Sequence, residues 1–404
     1  MVTHSCHWGP AGGALARKSA RALPSAHFAS SSHQGRAMRP MTCRPLAILG
    51  ALTLVSTVAA TACHDATSPD GADNARVVGS LNLDELPGGC VHRLKLETVT
   101  NAAGDNNHIP VIVAKGTQDG PVLALIAAVH GNELNGVPLI FRVLQTLNVE
   151  TLRGTVVTVP VANMEGYNRH QRGFLDGRDL NRLFPGKTGG DSSKSYARVV
   201  FEKIVSKADV AIDLHTASVG NANSLYVRVD MTNDACRSLA ELQTAQIIVH
   251  STPATGSLRA AATAKGIPTV VVEIGDPSRI NSQMVGEAVD GIWNVLTAFR
   301  MIGDKAAVVR HRKGVTVCKR SFWIFSDKGG FLTVRPQVNT WVSKGEVVAE
   351  LRDLYGSLVK TFIADDDAIV VGRSMDPVCA AGCRVIHLGT TRGEFLQGAN
   401  DGHA

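Results

Sequence analysis

The sequence predicts an α/β protein in which a mixed, largely parallel sheet carries helices on both faces, followed by a small all-β domain. From residue 109 onward, apolar runs of strand length alternate with segments of helical period. These apolar runs are almost wholly hydrophobic, as in strands that are buried on both faces. Beyond residue 329 the runs become short and alternating, with glycine turns between them, which is typical of an all-β domain.

The individual elements follow from these patterns. In chain order, strands are predicted at 122–129, 155–163, 209–215, 224–230, 246–250 and 268–275. Helices are predicted at 133–147, 195–208, 257–266 and 283–302. The first helix is expected to present one apolar face, formed by Leu134, Val137, Ile140, Phe141 and Leu144. In a sheet of this kind, functional sites form at the carboxyl ends of the strands.

The formal net charge of +6 comes from the first part of the chain. Residues 1–62 hold six of the 41 basic residues and none of the 35 acidic ones, so the rest of the chain is balanced. No cluster of Lys and Arg interleaved with aromatic residues follows in the sequence. We therefore expect no nucleic-acid partner.

Residues 41–63 have the pattern of a bacterial export signal. An uncharged apolar run from Leu46 to Ala62 follows Arg39 and Arg44 and ends in Ala-Thr-Ala-Cys. This pattern favours a lipoprotein, in which Cys63 is lipidated and anchors the protein to a membrane of the cell envelope. The alternative is cleavage after Ala62 without lipidation, which gives a periplasmic or extracellular protein. A spanning anchor is less favoured because the run is shorter than the ~20 residues needed.

The flanking segments complete the domain prediction. Residues 1–40 are interpreted as a mispredicted extension, because good start positions occur at Met38 and Met41. Residues 64–76 are polar and turn-rich, which indicates a linker. The two folded domains are predicted at 77–303 and 304–390. Cys379 and Cys383 are close enough in sequence to form a disulfide, which we favour over a metal role because no second pair accompanies them.

Two predicted strands end in histidine. His130 follows the apolar run 122–129, and Glu133 comes three residues later across a Gly-Asn turn. His215 ends another strand, and Asp213 lies two residues before it on the same strand face. Two histidines and a glutamate can bind zinc with a fourth position open for water. Asp213 is then a candidate to orient His215 from behind.

Glu273 ends a run of valines in another predicted strand. A buried carboxylate is costly unless it is paired or used in chemistry. Its natural use beside a zinc site is as a general base for water and then as a proton donor to the leaving amine.

An arginine-rich loop, residues 172–186, supplies the remaining candidates. Asn181 and Arg182 together can hold a substrate carboxylate, and a second arginine can polarise the carbonyl under attack. Taken alone, the same loop favours an Arg-Asp surface loop.

The motifs H-G-N-E, D-L-N-R-x-F-P-G, D-L-H and V-E-x-G, in this order, resemble those of the succinylglutamate desuccinylase and aspartoacylase family, which is related to the zinc carboxypeptidases. The resemblance covers roughly residues 77–300. It implies a zinc carboxypeptidase-like fold and one zinc ion per chain, bound by His130, Glu133 and His215.

The resemblance also assigns roles to the other residues. It implies that Asn181 and Arg182 bind a substrate carboxylate and that Glu273 is the catalytic glutamate. The carbonyl-polarising arginine is Arg172 or Arg178, and Arg172 is favoured because Arg178 directly abuts Asp179 and can pair with it. Asp179 itself is placed among the residues that support the site. The final domain resembles the β-rich carboxyl-terminal domain of the same family, which narrows access to the site and thereby favours small substrates.

These observations predict a zinc-dependent amide hydrolase that cleaves small N-acyl amino acids or related amides bearing a carboxylate. The enzymatic alternative is a carboxypeptidase acting on short or cell-wall peptides, which the export signal makes reasonable. A further alternative is a ligand-binding surface lipoprotein without turnover. The acyl group and the amine of the substrate stay open.

Overall fold

The computed structural model describes residues 75–303 and 312–395. The predicted export signal with Cys63, the extension before it and most of the linker lie outside these residues, as does 304–311, which includes the predicted domain boundary. Within the described part, no helix has both the length and the apolar character required to cross a bilayer.

The first folded region, residues 76–303 with the strand Thr316–Cys318, contains strands and helices in alternation, with an antiparallel extension at its start. Its strands are β1 (Arg76–Val78), β2 (Cys90–Thr100), β3 (Asn106–Lys115), β4 (Gln118–Ala127), β5 (Arg153–Val159), β6 (Val210–His215), β7 (Asn221–Asn223), β8 (Leu225–Val229), β9 (Ile247–His250), β10 (Thr269–Ile274) and β11 (Thr316–Cys318). Its helices are α1 (Gly136–Thr146), α2 (Met164–Asn168), α3 (Ser192–Lys203), α4 (Asp234–Glu241), α5 (Leu258–Ala264) and α6 (Ser282–Ala298), with short 3-10 turns at Leu180–Arg182 and Val205–Lys207.

Ten of these strands form one sheet in the order β1-β2-β3-β5-β4-β6-β10-β8-β9-β11. The pairs β2–β3, β3–β5 and β8–β10 are antiparallel, and the other neighbouring pairs are parallel. The prediction of a mixed, largely parallel sheet is therefore confirmed.

Two hydrophobic cores lie on opposite faces of this sheet. Helices α1, α4 and α6 pack on one face and α3 and α5 on the other. Strand β4 contributes to both, since Leu123 and Leu125 belong to the first core and Ala124 and Ile126 to the second. This two-sided burial explains why the strand sequences are continuously apolar.

The first helix differs from its prediction in start and orientation. It begins at Gly136 and buries Leu139, Ile140, Val143 and Leu144, while Phe141 is 44% exposed. A Cβ on Gly136 would lie 2.7 Å from the Cβ of Leu214 and 2.8 Å from that of Ala127. This close approach sets which face of α1 meets the sheet, and it turns Phe141 outward.

The second folded region is built from two antiparallel sheets around a small core of its own. Its strands are β12 (Arg320–Phe325), β13 (Gly330–Val334), β14 (Trp341–Val342), β15 (Val347–Arg352), β16 (Leu358–Ile363), β17 (Ala368–Ser374), β18 (Val378–Cys379) and β19 (Arg384–Thr390). One sheet has the order β12-β19-β17-β14 and the other β16-β15-β13-β18. The all-β character of this region is confirmed, as is the Cys379–Cys383 disulfide.

The two regions share strands across the predicted boundary. Strand β7, from the first folded region, pairs with β17 of the second region. Strand β11, which follows the predicted boundary, pairs with β9 in the large sheet. The exact domain limits remain a prediction.

Candidate active site

His130, Glu133 and His215 meet at the carboxyl ends of β4 and β6. The chain leaves β4 through Ala128, whose φ of 52° turns it sharply towards His130. Gly131 allows this turn to pack, because a Cβ there would lie 2.1 Å from the carbonyl carbon of Gly166. His215 is the last residue of β6, which lies beside β4.

The ligand atoms of these three residues lie close to one another. The two Nδ1 atoms of His130 and His215 are 3.2 Å apart. Glu133 places Oε1 3.0 Å from Nδ1 of His130 and Oε2 2.9 Å from Nδ1 of His215. Zinc bonds of about 2.0–2.2 Å put tetrahedral ligand atoms about 3.3 Å apart, so this donor set fits zinc in both chemistry and spacing.

Each histidine is held from behind by a carboxylate. Nε2 of His130 lies 3.0 Å from Oδ1 of Asp179, and Nε2 of His215 lies 3.0 Å from Oδ1 of Asp213. Asp213 and His215 are both buried. With Nε2 of each ring directed at a carboxylate, Nδ1 of each ring is left for a metal.

For Glu133 and His215, neighbouring groups oppose the effect of burial on the pKa. Burial alone would raise the pKa of Glu133, but the charge of His130, hydrogen bonds from both histidines and the charge of Arg172 hold it well below its usual range. Burial alone would lower the pKa of His215, but Asp213 and Glu133 raise it well above its usual value. A metal ion at this site would compete with protons for these ligand atoms.

Glu273 lies beside this cluster on β10. It pairs in register with His215 on β6 and with Tyr226 on β8, so its side chain enters the same cavity. Burial raises the pKa of its carboxyl group. Its Oε2 accepts a hydrogen bond from Nδ2 of Asn223 at 3.3 Å.

Arg172 contacts two carboxylates at this cluster. Its Nη1 donates to Oε1 of Glu133 at 2.6 Å and to Oγ of Ser218 at 3.0 Å. Its Nη2 donates to Oδ2 of Asp179 at 3.0 Å. A guanidinium has five N–H donors, so these contacts do not exhaust it.

Asn181 and Arg182 both line the cavity, as the loop pattern predicts. The side chain of Asp179 caps the 3-10 turn at Leu180–Arg182 by accepting from N of Asn181 at 2.8 Å. Oδ1 of Asn181 in turn accepts from N of Leu258, the first residue of α5, at 2.8 Å. The loop is thereby fixed to the helix that borders the cavity.

Arg178 is placed elsewhere. Its guanidinium pairs with Asp191 at 2.6 Å and with Asp176 at 3.9 Å near the surface, and it is not among the residues lining the cavity. It does not pair with Asp179 either, because that carboxylate is taken by His130 and Arg172. The structure therefore does not support a substrate contact for Arg178.

Several residues that line the cavity were not predicted from the sequence. They are Ser218, Asn223, Tyr226, Arg228, Arg259, Trp323 and Arg384. Tyr226 and Arg228 alternate on β8 in the manner of a strand with one functional face, which was the available signal. Trp323 and Arg384 come from β12 and β19 and reach the cavity only through the long-range fold.

Comparison with known proteins agrees with this geometry. Residues 119–299 match the family model described as the succinylglutamate desuccinylase/aspartoacylase catalytic domain. The chain is 24% identical over 276 residues to N-alpha-acetyl-L-2,4-diaminobutyric acid deacetylase from Halomonas elongata, covering 66% of this chain and 80% of that protein.

Solved structures share the fold. A succinylglutamate desuccinylase/aspartoacylase from Rhodobacter sphaeroides has a TM-score of 0.69 at 22% identity, covering 79% of this chain and 100% of that chain. The product-bound ectoine utilization protein EutE (DoeB) from Ruegeria pomeroyi has a TM-score of 0.68 at 22% identity, covering 76% and 98%.

The family-model match and the deacetylase relative indicate an amide hydrolase. The match over residues 119–299 supports the resemblance to the succinylglutamate desuccinylase/aspartoacylase family. The matched segment contains His130, Glu133, Arg172, Asn181, Arg182, His215 and Glu273, in agreement with the family predicted from the motifs.

Proposed function

We propose that the protein is a zinc-dependent deacylase of small N-acyl amino acids or related amides bearing a carboxylate. The observation that carries this proposal is the close approach of the ligand atoms of His130, Glu133 and His215, with contacts of 2.9–3.2 Å between each pair of residues, and Glu273 in the same cavity. When bound, zinc supplies a Lewis acid that acidifies water and polarises a carbonyl.

The residues of the chain carry the proton and hold the substrate. Glu273 accepts a proton from the attacking water and then delivers it to the nitrogen of the leaving amine, so that the amide bond breaks. Its raised pKa suits both halves of this task, since a strongly acidic carboxyl group would be a weak base. Arg172, at the rim of the metal cluster, stabilises negative charge that develops on the carbonyl oxygen.

The charge of the cavity favours an anionic substrate. Arg172, Arg182, Arg228, Arg259 and Arg384 line it, against the carboxylates of Glu133 and Glu273. Burial and the neighbouring charges of Arg172, Arg228 and Arg182 lower the pKa of Arg384, which reflects this accumulation of positive charge.

The guanidinium of Arg259 has a structural role, since it donates hydrogen bonds to Ser251 and Thr252. Arg182, Arg228 and Arg384 also line the cavity and add to its positive charge. We infer that an acidic amino acid is a better amine product here than the diaminobutyric acid named for the Halomonas relative, which carries a second amino group.

A panel of amides tests this function. Purified protein loaded with zinc should release free amino acid from N-acetyl-aspartate faster than from N-acetyl-alanine, and slowest from N-acetyl-2,4-diaminobutyrate. Preferential cleavage of short peptides at their carboxyl ends would instead identify a carboxypeptidase. A protein that binds such compounds without turning over any of them would refute the enzymatic proposal.

Substitution of Arg182 tests the carboxylate site. Arg182→Ala should raise KM by roughly 10- to 100-fold with a smaller change in kcat, because a hydrogen bond to a charged group contributes about 1.5–3 kcal/mol. Steady-state kinetics on the best substrate of the panel measures this. Arg178→Ala is the matched control, since Arg178 lies in the same loop but outside the cavity, and it should leave KM near the wild-type value. Equal effects of both substitutions would contradict the assignment.

Membrane anchoring is proposed from the leader alone. Cys63→Ser should move the protein from the membrane fraction to the soluble fraction after expression in bacteria with lipoprotein processing. Cys43→Ser, which changes a cysteine before the apolar run, should leave it in the membrane fraction. Membrane association that survives Cys63→Ser would show that another segment anchors the protein.

A further inference from the structure

One loop contacts both proposed catalytic side chains. It comprises residues 216–224, between β6 and β8, and is called here the bridging loop. Oγ of Ser218 accepts from Nη1 of Arg172 at 3.0 Å, and Nδ2 of Asn223 donates to Oε2 of Glu273 at 3.3 Å. Asn223 is buried at 6% exposure. The loop therefore contacts both Arg172 and Glu273.

The second folded region holds this loop in place. Residues 221–223 form β7, which pairs antiparallel with β17 so that Asn223 lies opposite Gly372. N and Oγ of Ser224 both donate to O of Val371, at 2.9 and 3.0 Å. At the other end, N of Met375 donates to O of Gly220 at 2.7 Å. The loop is thus bonded along its length to one strand.

Strand β17 is a rigid support for such a loop. It is flanked by β19 and β14 in its own sheet, and nearly all its residues are buried. The loop is also tied back to the cluster, since N of Thr216 donates to Oε2 of Glu133 at 3.3 Å and N of Ala217 donates to O of Gly275 at 2.9 Å. Its position is therefore determined jointly by the metal cluster and by the second region.

We propose that Asn223 is a positioning residue for Glu273 and that β17 sets where Asn223 stands. The second region would then contribute to the chemical step through a hydrogen bond, in addition to walling the cavity. The inference rests on the proposed function, because it requires Glu273 to carry the proton. A carboxylate that must first take a proton and then release it benefits from a fixed orientation, and an amide donor on Oε2 leaves Oε1 to exchange the proton.

Gly372 offers a way to test this from outside the cavity. A Cβ added there would lie 2.5 Å from Oδ1 of Asn223 and 3.1 Å from O of Ala222. Gly372 does not line the cavity. Its replacement by alanine should push the end of the Asn223 side chain away while adding nothing to the substrate site, and displacing the end of a side chain is compatible with folding.

The first test is a double-mutant cycle between positions 223 and 273. Asn223→Leu should lower kcat by roughly 10- to 100-fold with little change in KM, because the N–H donor is lost at nearly constant size. The same substitution in the Glu273→Gln protein should change the residual kcat by less than about twofold, because the group it positions no longer works as a base. A merely structural role would instead give the same loss in both backgrounds, and that result would overturn the inference.

The second test uses glycine substitutions in the second region. Gly372→Ala should lower kcat by about 3- to 30-fold with zinc content and KM near wild type, as expected for a hydrogen bond that is weakened rather than removed. Gly329→Ala is the control, since its Cβ would meet only ordinary contacts, the nearest at 3.4 Å from O of Cys379. It should leave kcat unchanged. Equal kcat for Gly372→Ala and wild type would overturn the inference even if Asn223→Leu failed to fold.

Failure of the inference is distinguishable from failure of the proposed function. A wild-type protein that is inactive on every amide with zinc bound would refute the proposed function. An active wild-type protein whose kcat is insensitive to Asn223→Leu and Gly372→Ala would refute the positioning role and leave the deacylase assignment intact.

Discussion

Glu273→Gln is expected to lower kcat by roughly 10²- to 10⁴-fold while the protein keeps its zinc, and the loss should lie towards the upper end of this range. The substitution preserves the size of the side chain and an oxygen that can accept from Asn223, but removes the basic carboxylate. Because the proposed mechanism uses Glu273 both to accept and to deliver the proton, both halves of the reaction lose their catalyst. Glu273 is not among the three candidate metal ligands, so metal binding should survive.

The measurement is steady-state kinetics with metal content determined on the same preparation. Glu241→Gln, an exposed carboxyl group at the end of α4, is a suitable control and should behave as wild type. Near-normal kcat in zinc-loaded Glu273→Gln protein would remove Glu273 from the mechanism. Loss of zinc from this variant would instead indicate that Glu273 belongs to the metal site itself.

His215→Ala is expected to abolish zinc binding and, with it, measurable turnover. The substitution removes one of three ligands and also takes away the ring that faces the buried carboxylate of Asp213 at 3.0 Å. Two remaining ligands do not make a competent zinc site, since such sites need three protein groups.

Metal analysis after dialysis against a weak chelator measures the outcome, with unfolding temperature recorded to exclude global loss of structure. His108→Ala, on β3 and outside the cavity, should retain wild-type zinc content. Full zinc occupancy in the His215→Ala protein would show that the ion binds elsewhere.

Several residues of the proposed active site could be predicted from the sequence because their signals are local. His130, His215 and Glu273 each follow or end a continuously apolar strand, where a polar side chain is conspicuous. Parallel strands place their carboxyl ends at one edge of the sheet, so these side chains were expected to meet. The carboxylate behind His215 was also predictable, because residues two apart share a strand face.

Other parts of the site depend on strand pairing that the sequence does not reveal. Arg228 faces the cavity because β8 runs antiparallel to β10 and sets Arg228 opposite Val271. Asn223 reaches Glu273 because β7 pairs with a strand nearly 150 residues further along the chain. Trp323 is held against His387 at a ring separation of 5.1 Å, and Arg384 lies 5.2 Å from the Trp323 ring, so both positions are products of the second region.

Arg178 shows the limit of arguing from neighbours in sequence. It abuts Asp179, yet that carboxylate bonds to His130 and Arg172, while Arg178 turns to Asp191 at the surface. Adjacent residues in an irregular loop point in different directions. Their partners are therefore decided by the elements packed against the loop and not by spacing along it.

The central claim is that hydrolysis depends on one zinc ion bound by His130, Glu133 and His215. The most direct measurement is titration of zinc into metal-free protein while release of amino acid from the best N-acyl substrate is followed. The account predicts no turnover without metal and a linear rise that reaches its plateau at one equivalent of zinc per chain. Full activity in the metal-free protein would contradict it. So would zinc binding to saturation with no release of amino acid from any N-acyl substrate.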